Sequence, residues 1–174
     1  MAGAIREASP APHPSKSNVA TTPTPTSQAK ALEPAPEPES IPVSIQDFDD
    51  FVDNEVAAFV HSSTRVGSLV EEQAQAVQQA FKAERMFLLM STKAKKPEPM
   101  RPDLFADIHR FMSQVDEIKD TNRGSEYFKH LATVSEGIVA LGWIMETRPA
   151  DFVDSALSGA QYNGNTVLRV YKDK

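Results

Sequence analysis

Apolar residues in the second part of the chain recur at helical spacing, whereas the first part shows no such pattern. From Ser44 onward they fall on one face of successive 3.6-residue turns, which is typical of amphipathic helices that pack together. The first stripe consists of Phe48, Phe51, Val52, Val56, Phe59 and Val60. The second consists of Leu69, Gln73, Ala76, Val77, Ala80, Phe81, Phe87 and Leu88.

Capping and breaking residues divide this pattern into successive elements. Ser44 is a candidate cap for the first helix, which Gly67 ends or bends. Ser68 is a candidate cap for a second helix that runs to about Ser91, before a loop that contains two prolines. Pro102 suits the first position of a third helix. The loops are short, so we expect neighbouring helices to be antiparallel.

The last two predicted helices contain glycines. Gly124 suits the C-terminal cap of the third helix, and Ser125 can cap the fourth. Gly137 and Gly142 make the fourth helix prone to break into two pieces. A final helix opens at Pro149, with Gly159 and Gly164 weakening its middle. Its predicted inward residues are Phe152, Val153, Ala156, Ala160, Val167, Leu168 and Tyr171. No segment has a convincing strand pattern, so the sequence predicts an all-α antiparallel bundle of five to six helices.

Residues 1–42 differ in composition from the rest. They contain nine of the 13 prolines and no aromatic residue, whereas every Phe, Tyr and Trp lies from Phe48 onward. A segment without aromatic residues buries too little apolar surface to offset its ordering entropy. The sequence therefore predicts a disordered tail at 1–42 and a folded domain at 43–174. The tail reads as an extended spacer, or as a ligand for a proline-recognising domain through Pro34, Pro36 and Pro38.

The composition argues against several classes of protein. The chain has no cysteine, so it forms no disulfides and has no thiolate chemistry, and it lacks an apolar run long enough to span a membrane. The start has no signal-peptide core, and Ala2 stands where myristoylation needs glycine. We therefore expect a cytoplasmic protein. The net charge of −6 argues against nucleic-acid binding, and the run of Lys93, Lys95 and Lys96 reads as a solvated loop.

Three patterns resemble chemical sites without completing one. The stretch from Gly159 to Thr166 imitates a phosphate-binding loop but lacks its lysine and the preceding strand. Glu126 and His130 share a helix face, but a zinc site needs three or four ligands. The acidic cluster of Asp47, Asp49, Asp50 and Asp53 is explained by a solvated helix face. We therefore predict no enzymatic activity, no metal and no cofactor.

Trp143 lies in the most apolar stretch of the chain, IVALGWIM. Packing in the core is the leading interpretation. The alternative is a surface anchor for a partner, because indole is favoured at binding hot spots. His130 is predicted to be a structural histidine.

The stretch from Asn122 to Trp143, NRGSEYFKHLATVSEGIVALGW, resembles the signature of adenylyl cyclase-associated proteins. The family pattern is roughly N-R-G-S, two residues, F-N-H-L-S-A-V-S-E, one residue, I-P-A-L-G-W. Lys129 replaces the usual Asn and Val139 the usual Pro. The end, NTVLRVYKD, is similar to the family's closing segment, N-R-V-L-K-D/E-Y-K-D, although Thr166 and Val170 depart from it. The likeness covers about 44–173.

The resemblance implies a six-helix bundle that works with cofilin on actin filaments in the cytoplasm. In the family, this domain promotes filament severing and pointed-end depolymerisation. The alternative function is a signalling scaffold that binds adenylyl cyclase or another helical partner. Because the family's N-terminal oligomerising helix is not seen, we expect a monomer.

The resemblance also suggests which residues matter. The candidate partner-binding residues are Asn122, Arg123, Gly124, Ser125, Lys129, Glu136, Asn165 and Arg169. The candidate structural residues are His130, Leu141, Gly142, Trp143 and Tyr171. Arg123 is the expected anchor, because its planar guanidinium matches carboxylates. Gly124 and Ser125 are alternatively residues that only shape the turn.

Overall fold

The computed structural model describes residues 40–172, which are helical and contain no strand within that range. This confirms the predicted all-α bundle. The first rod consists of α1 (Val43–Phe51), a π-helical turn (Val52–Val56) and α2 (Ala57–Thr64). It is followed by α3 (Ser68–Lys93), a 3₁₀ turn (Pro102–Phe105) and α4 (Ala106–Thr121). The chain then forms α5 (Phe128–Ile138), a 3₁₀ segment (Val139–Met145) and α6 (Pro149–Tyr171). Most of the predicted disordered tail lies outside the described residues.

Helix α3 is the central element of the bundle. Its 26 residues present a buried face to α4 and α5, and small alanines on that face allow the helices to approach closely. The buried residues of α3 are Val70, Gln73, Ala74, Ala76, Val77, Ala80 and Glu84. No helix within residues 40–172 combines the length and the apolar character that a membrane crossing requires.

The first rod is fastened to α3 by an ion pair and by aromatic packing. The Arg85 guanidinium donates two hydrogen bonds to the Asp49 carboxylate, one of them 2.6 Å long from Nη2 to Oδ2. The Phe81 ring contacts the rings of Phe48 and Phe51, with centroids 6.3 and 5.7 Å away. Asp49 is therefore not simply part of a solvated acidic face, as the sequence predicted. Its carboxylate is an attachment point between helices.

Helix α6 forms the outermost layer, against α5 and the 3₁₀ segment that follows it. Contacts run antiparallel, from His130 with Tyr171 at one end to Gly142 with Phe152 at the other. Because α6 packs on one side only, none of its described residues is fully buried. Two predicted inward residues, Val153 and Leu168, are in fact exposed.

The glycines of the last two helices serve packing more than flexibility. The fourth predicted helix does change character after Gly137, where the α-helix gives way to a 3₁₀ segment. Helix α6, however, continues through Gly159 and Gly164 without interruption. A Cβ at Gly164 would lie 3.5 Å from Thr133 Cγ2, so the missing side chain lets α5 and α6 approach closely.

The predicted helix caps differ from the observed ones. Ser44 lies inside α1, which begins after Pro42, and Ser68 is the first residue of α3 rather than its cap. Gly124 does not adopt the left-handed conformation of a C-terminal cap. Asn122 closes α4 instead, because its side-chain amide donates to the Ile118 carbonyl oxygen at 2.8 Å.

Candidate partner-binding site

The turn between α4 and α5 is built by hydrogen bonds of its own residues. The backbone N–H of Ser125 donates to the carbonyl oxygen of Asn122 at 3.0 Å. The Ser125 hydroxyl accepts a hydrogen bond from the backbone N–H of Tyr127 at 3.1 Å. Asn122 and Ser125 are half-buried and use their side chains inside the turn. Their first task is therefore to shape this loop.

Aromatic contacts hold the loop against its neighbours. The Tyr127 ring lies over Gly67, where an added Cβ would come within 3.1 Å of the ring. His130 lies between two tyrosines, with ring centroids 5.8 Å from Tyr127 and 5.3 Å from Tyr171. These contacts connect the start of α3, the start of α5 and the end of α6. The loop thus rests on a packed base.

His130 packs between aromatic rings, and its hydrogen bonding is incomplete. Its Nδ1 atom is buried and has no hydrogen-bond partner among the described residues. Burial lowers the pKa of His130, which favours the neutral imidazole. An uncharged ring between two tyrosines is a packing element of this end of the bundle.

The tip of the loop is open to a partner. The Arg123 side chain is 73% exposed, and its guanidinium donates to Asp120 Oδ1 at 2.9 Å. Since a guanidinium has five N–H donors, most of its capacity stays available beyond that bond. No heavy atom lies within 4 Å of the position of a Cβ at Gly124. Lys129, the second residue of α5, is also exposed.

The other candidate partner-binding residues do not all lie beside the loop. Asn165 and Arg169 are exposed near the C-terminal end of α6, which the contact between His130 and Tyr171 places beside the start of α5. Glu136 is exposed about two turns further along α5. The structure therefore brings the loop, Lys129, Asn165 and Arg169 to one end, and Glu136 lies away from them.

Leu141, Gly142 and Trp143 lie in the 3₁₀ segment at the opposite end of α5. Leu141 is buried in the core. A Cβ at Gly142 would approach Phe152 Cζ to 3.1 Å, so the glycine admits that ring. Trp143 is only half-buried, so it lies at the edge of the core.

An apolar groove runs beside the candidate loop, between α2 and α6 and over α5. We call it the α2–α6 groove. Its volume is about 530 Å³. Its lining includes Phe59, Val66, His130, Val134, Leu157 and Leu168. Its volume falls in the range of ligand-binding clefts, and its apolar lining suits an apolar surface of a partner.

A buried glutamate is a feature that the sequence did not reveal. Glu84 is fully buried in α3, and neither of its carboxylate oxygens has a hydrogen-bond partner among the described residues. Loss of hydration raises the pKa of Glu84 to about 8, and the neighbouring Trp143 side chain opposes that rise. No group of three His, Cys, Asp or Glu side chains within residues 40–172 could hold a metal ion.

Comparison with known proteins gives the family. Residues 48–174 match the family described as "CAP, N-terminal domain". The chain belongs to this family. Human adenylyl cyclase-associated protein 2 is 37% identical over 131 residues, which cover 74% of this chain. The adenylyl cyclase-associated protein of Schizosaccharomyces pombe is 30% identical over 139 residues, or 78% of this chain.

The match to these relatives concerns one part of each. The aligned residues cover 28% of the human relative and 25% of the yeast one, so the chain spans about a quarter of their length. A crystal structure of the N-terminal domain of CAP that "indicates variable oligomerisation" has a TM-score of 0.71 and 27% identity. It covers 75% of this chain and 71% of that one. The Dictyostelium discoideum N-terminal domain has a TM-score of 0.68, also with 27% identity, and covers 74% of each chain.

Proposed function

We propose that this CAP N-terminal domain regulates the actin cytoskeleton in the cytoplasm by binding cofilin-decorated filaments. Binding promotes severing and depolymerisation from the pointed end. The observation that carries the proposal is the exposed Arg123, held at the tip of a loop whose base is packed on three helices. Family membership over residues 48–174 supports regulation of the actin cytoskeleton in general.

The charges at this end suit a protein partner. Arg123, Lys129 and Arg169 are all exposed at this end of the bundle, where Asp120 and Glu126 are exposed as well. Arg123 is partly neutralised by Asp120, but exposed pairs of this kind are weak, about 0–1 kcal/mol, and are easily exchanged. A partner carboxylate can therefore compete for the guanidinium, forming a bidentate contact.

The test is a pointed-end depolymerisation assay with cofilin-decorated filaments, in which the double variant Arg123→Ala/Lys129→Ala is compared with the unchanged protein. We expect the rate enhancement and the cosedimentation with decorated filaments to fall together. Arg110→Ala is the matched control, because Arg110 is similarly exposed and makes the same kind of pair with Asp107. Full activity of the double variant would exclude this end of the bundle as the contact.

A second candidate function is a scaffold that binds adenylyl cyclase or another helical partner. The relatives are named adenylyl cyclase-associated proteins, and the α2–α6 groove offers an apolar surface suited to a helix. This function predicts capture of a partner without actin or cofilin, and its loss in Leu157→Glu. Capture that requires filaments, or that Leu157→Glu leaves intact, would count against the scaffold.

A further inference from the structure

A second cleft lies at the end of the bundle opposite the candidate loop, and we call it the tryptophan groove. Its volume is about 410 Å³. Its apolar lining includes Phe87, Met90, Met100, Leu104, Trp143 and Ile144. These residues come from the end of α3, the loop before α4 and the 3₁₀ segment after α5. Three elements thus form a largely apolar depression of the size that proteins use for bound side chains and ligands.

The rim of the tryptophan groove is positively charged. Lys95 and Lys96 line it, and neither forms an ion pair within the part of the chain that the structure describes. Arg101 also lines the groove, but its guanidinium is paired with Asp103. Glu98 lies in the same loop and is not part of the lining. The groove therefore places two lysine side chains beside apolar surface in a chain whose overall charge is negative.

The side chains inside the groove are of kinds favoured at binding sites. Trp143 is half-buried and stands outside the main core cluster, so it has apolar surface left uncovered. Indole rings are enriched among the residues that contribute most to protein interfaces. Met90 is 43% exposed on the groove wall. Flexible methionines let such a surface adapt to the shape of a partner.

We infer that the tryptophan groove docks an acidic segment of a partner protein. The segment inserts an aromatic or aliphatic side chain beside Trp143, and its carboxylates lie beside Lys95 and Lys96. Charge complementarity selects this occupant, because the cationic rim attracts acidic segments and repels basic ones. Burial of the inserted apolar side chain contributes binding free energy that an exposed ion pair alone does not provide.

This groove is separate from the contact proposed for actin. The helical residues from Phe128 to Trp143 lie between the two ends and span roughly 25 Å by helix geometry. A partner in the tryptophan groove therefore leaves the Asn122–Ser125 loop uncovered. The domain can then hold two proteins at once, which raises the effective concentration of each near the other.

Trp143 provides a direct measurement, because it is the single tryptophan of the chain. The probe is the acidic octapeptide Ac-DEELFEED-NH2, titrated into the full chain while indole emission is recorded. We expect a saturable change in emission that weakens as salt is added. The neutral peptide Ac-NQQLFQQN-NH2 and the acidic peptide Ac-DEESSEED-NH2, without a bulky side chain, should both bind much more weakly.

Two variants test the two halves of the site. The double variant Lys95→Glu/Lys96→Glu should weaken binding of the acidic peptide on the order of tenfold. Its control is Lys82→Glu/Arg65→Glu, which makes the same charge change outside the groove and should leave the binding unchanged. Met90→Glu should weaken binding by a similar factor. Its control is Met86→Glu, on the same helix but outside the groove, where the side chain is 61% exposed. All six positions are exposed, so the fold should tolerate the changes.

Several results would overturn the inference. Equal binding of the neutral and acidic peptides, or equal losses in the groove variants and their controls, would remove the role of the cationic rim. An emission change that depends only on protein concentration would identify a second copy of this chain as the occupant. A change with phosphatidylserine vesicles but not with the acidic peptide would identify a lipid surface instead. Each of these outcomes leaves the depolymerisation test of Arg123 and Lys129 unaffected.

Discussion

Gln73 donates from its side-chain amide nitrogen to the backbone carbonyl oxygen of Leu131, 3.1 Å away in the core. The same nitrogen lies 3.0 Å from the carbonyl oxygen of Val115 and 3.3 Å from the Ser135 hydroxyl. One amide thereby links the central helix α3 to α4 and α5, which flank the candidate loop. Buried hydrogen bonds of this kind fix how helices pack against one another, although the Gln73 Oε1 atom is buried without a partner among the described residues.

Replacing Gln73 with leucine should destabilise the fold by about 1–3 kcal/mol, because the change removes the buried hydrogen bonds that join α3 to α4 and α5. The free energy of unfolding from urea titration measures this. Gln79→Leu is the control, since Gln79 is exposed on the same helix and should change stability by less than about 0.5 kcal/mol. Equal stability of the two variants would show that the amide link is dispensable.

Glu84 should make the stability of the domain fall as pH rises. Its pKa is raised to about 8 in the fold from an ordinary 4.5, so between those values the folded state holds a proton that the unfolded state has released. Unfolding free energy should therefore decrease with a slope approaching about 1.4 kcal/mol per pH unit in that window. The stability is fully present below pH 4.5 and lost as pH passes through 8.

Glu84→Gln removes this titration, so its thermal midpoint should depend less on pH than that of the unchanged protein. Glu72→Gln serves as the control, because Glu72 is exposed on the same helix. Thermal unfolding at a series of pH values measures both. Parallel pH profiles for Glu84→Gln and the parent would mean that the carboxyl group does not titrate as its burial requires.

Gly142→Ala should destabilise the bundle by about 1–3 kcal/mol, because the new methyl group would press on Phe152 and displace α6. Gly124→Ala is its matched control: a Cβ there meets open space and no positive φ is involved, so stability should be unchanged. Thermal unfolding compares them. A loss of stability in Gly124→Ala as large as in Gly142→Ala would contradict this account of the two glycines.

Asp49→Asn should lower the free energy of unfolding by about 0.5–1.5 kcal/mol, because it removes the charge-assisted pair with Arg85 that attaches the first rod to α3. The hydrogen bond from Arg85 lowers the pKa of Asp49, so its contribution is present above the unfolded-state pKa and disappears as pH falls through the folded-state value. The difference between variant and parent should thus vanish in strong acid. Asp50→Asn, at an exposed neighbour, should show no such difference at any pH.

The apolar pattern predicted the helices well, because a stripe at 3.6-residue spacing needs a partner surface wherever it occurs. It also placed Gln73 on the inward face of α3, and the structure confirms that position. The pattern gave Glu84 no special place, because an ionisable side chain is normally assigned to the solvent face. Only the packing of α3 against its neighbours buries that carboxyl group and raises its pKa.

Turn geometry was the least predictable feature. Gly124 has the residue type of a helix cap, but the Asn122 side chain closes α4 and leaves Gly124 at an open tip. Val153 and Leu168 follow the inward stripe of α6, yet they are exposed because that helix contacts the bundle on one side only. Neither outcome could be inferred locally, since each depends on what the neighbouring elements cover.

The sequence by itself determined the all-α class, the order of the helices and the family, because periodicity and a dense local motif are properties of neighbouring residues. The tertiary structure alone decided that Asp49 pairs with Arg85, that Gln73 joins three helices and that two lysines meet Trp143 at one groove. These relationships join residues far apart in the chain. They arise from the arrangement of the helices around α3, and a pattern among neighbouring residues does not predict that arrangement.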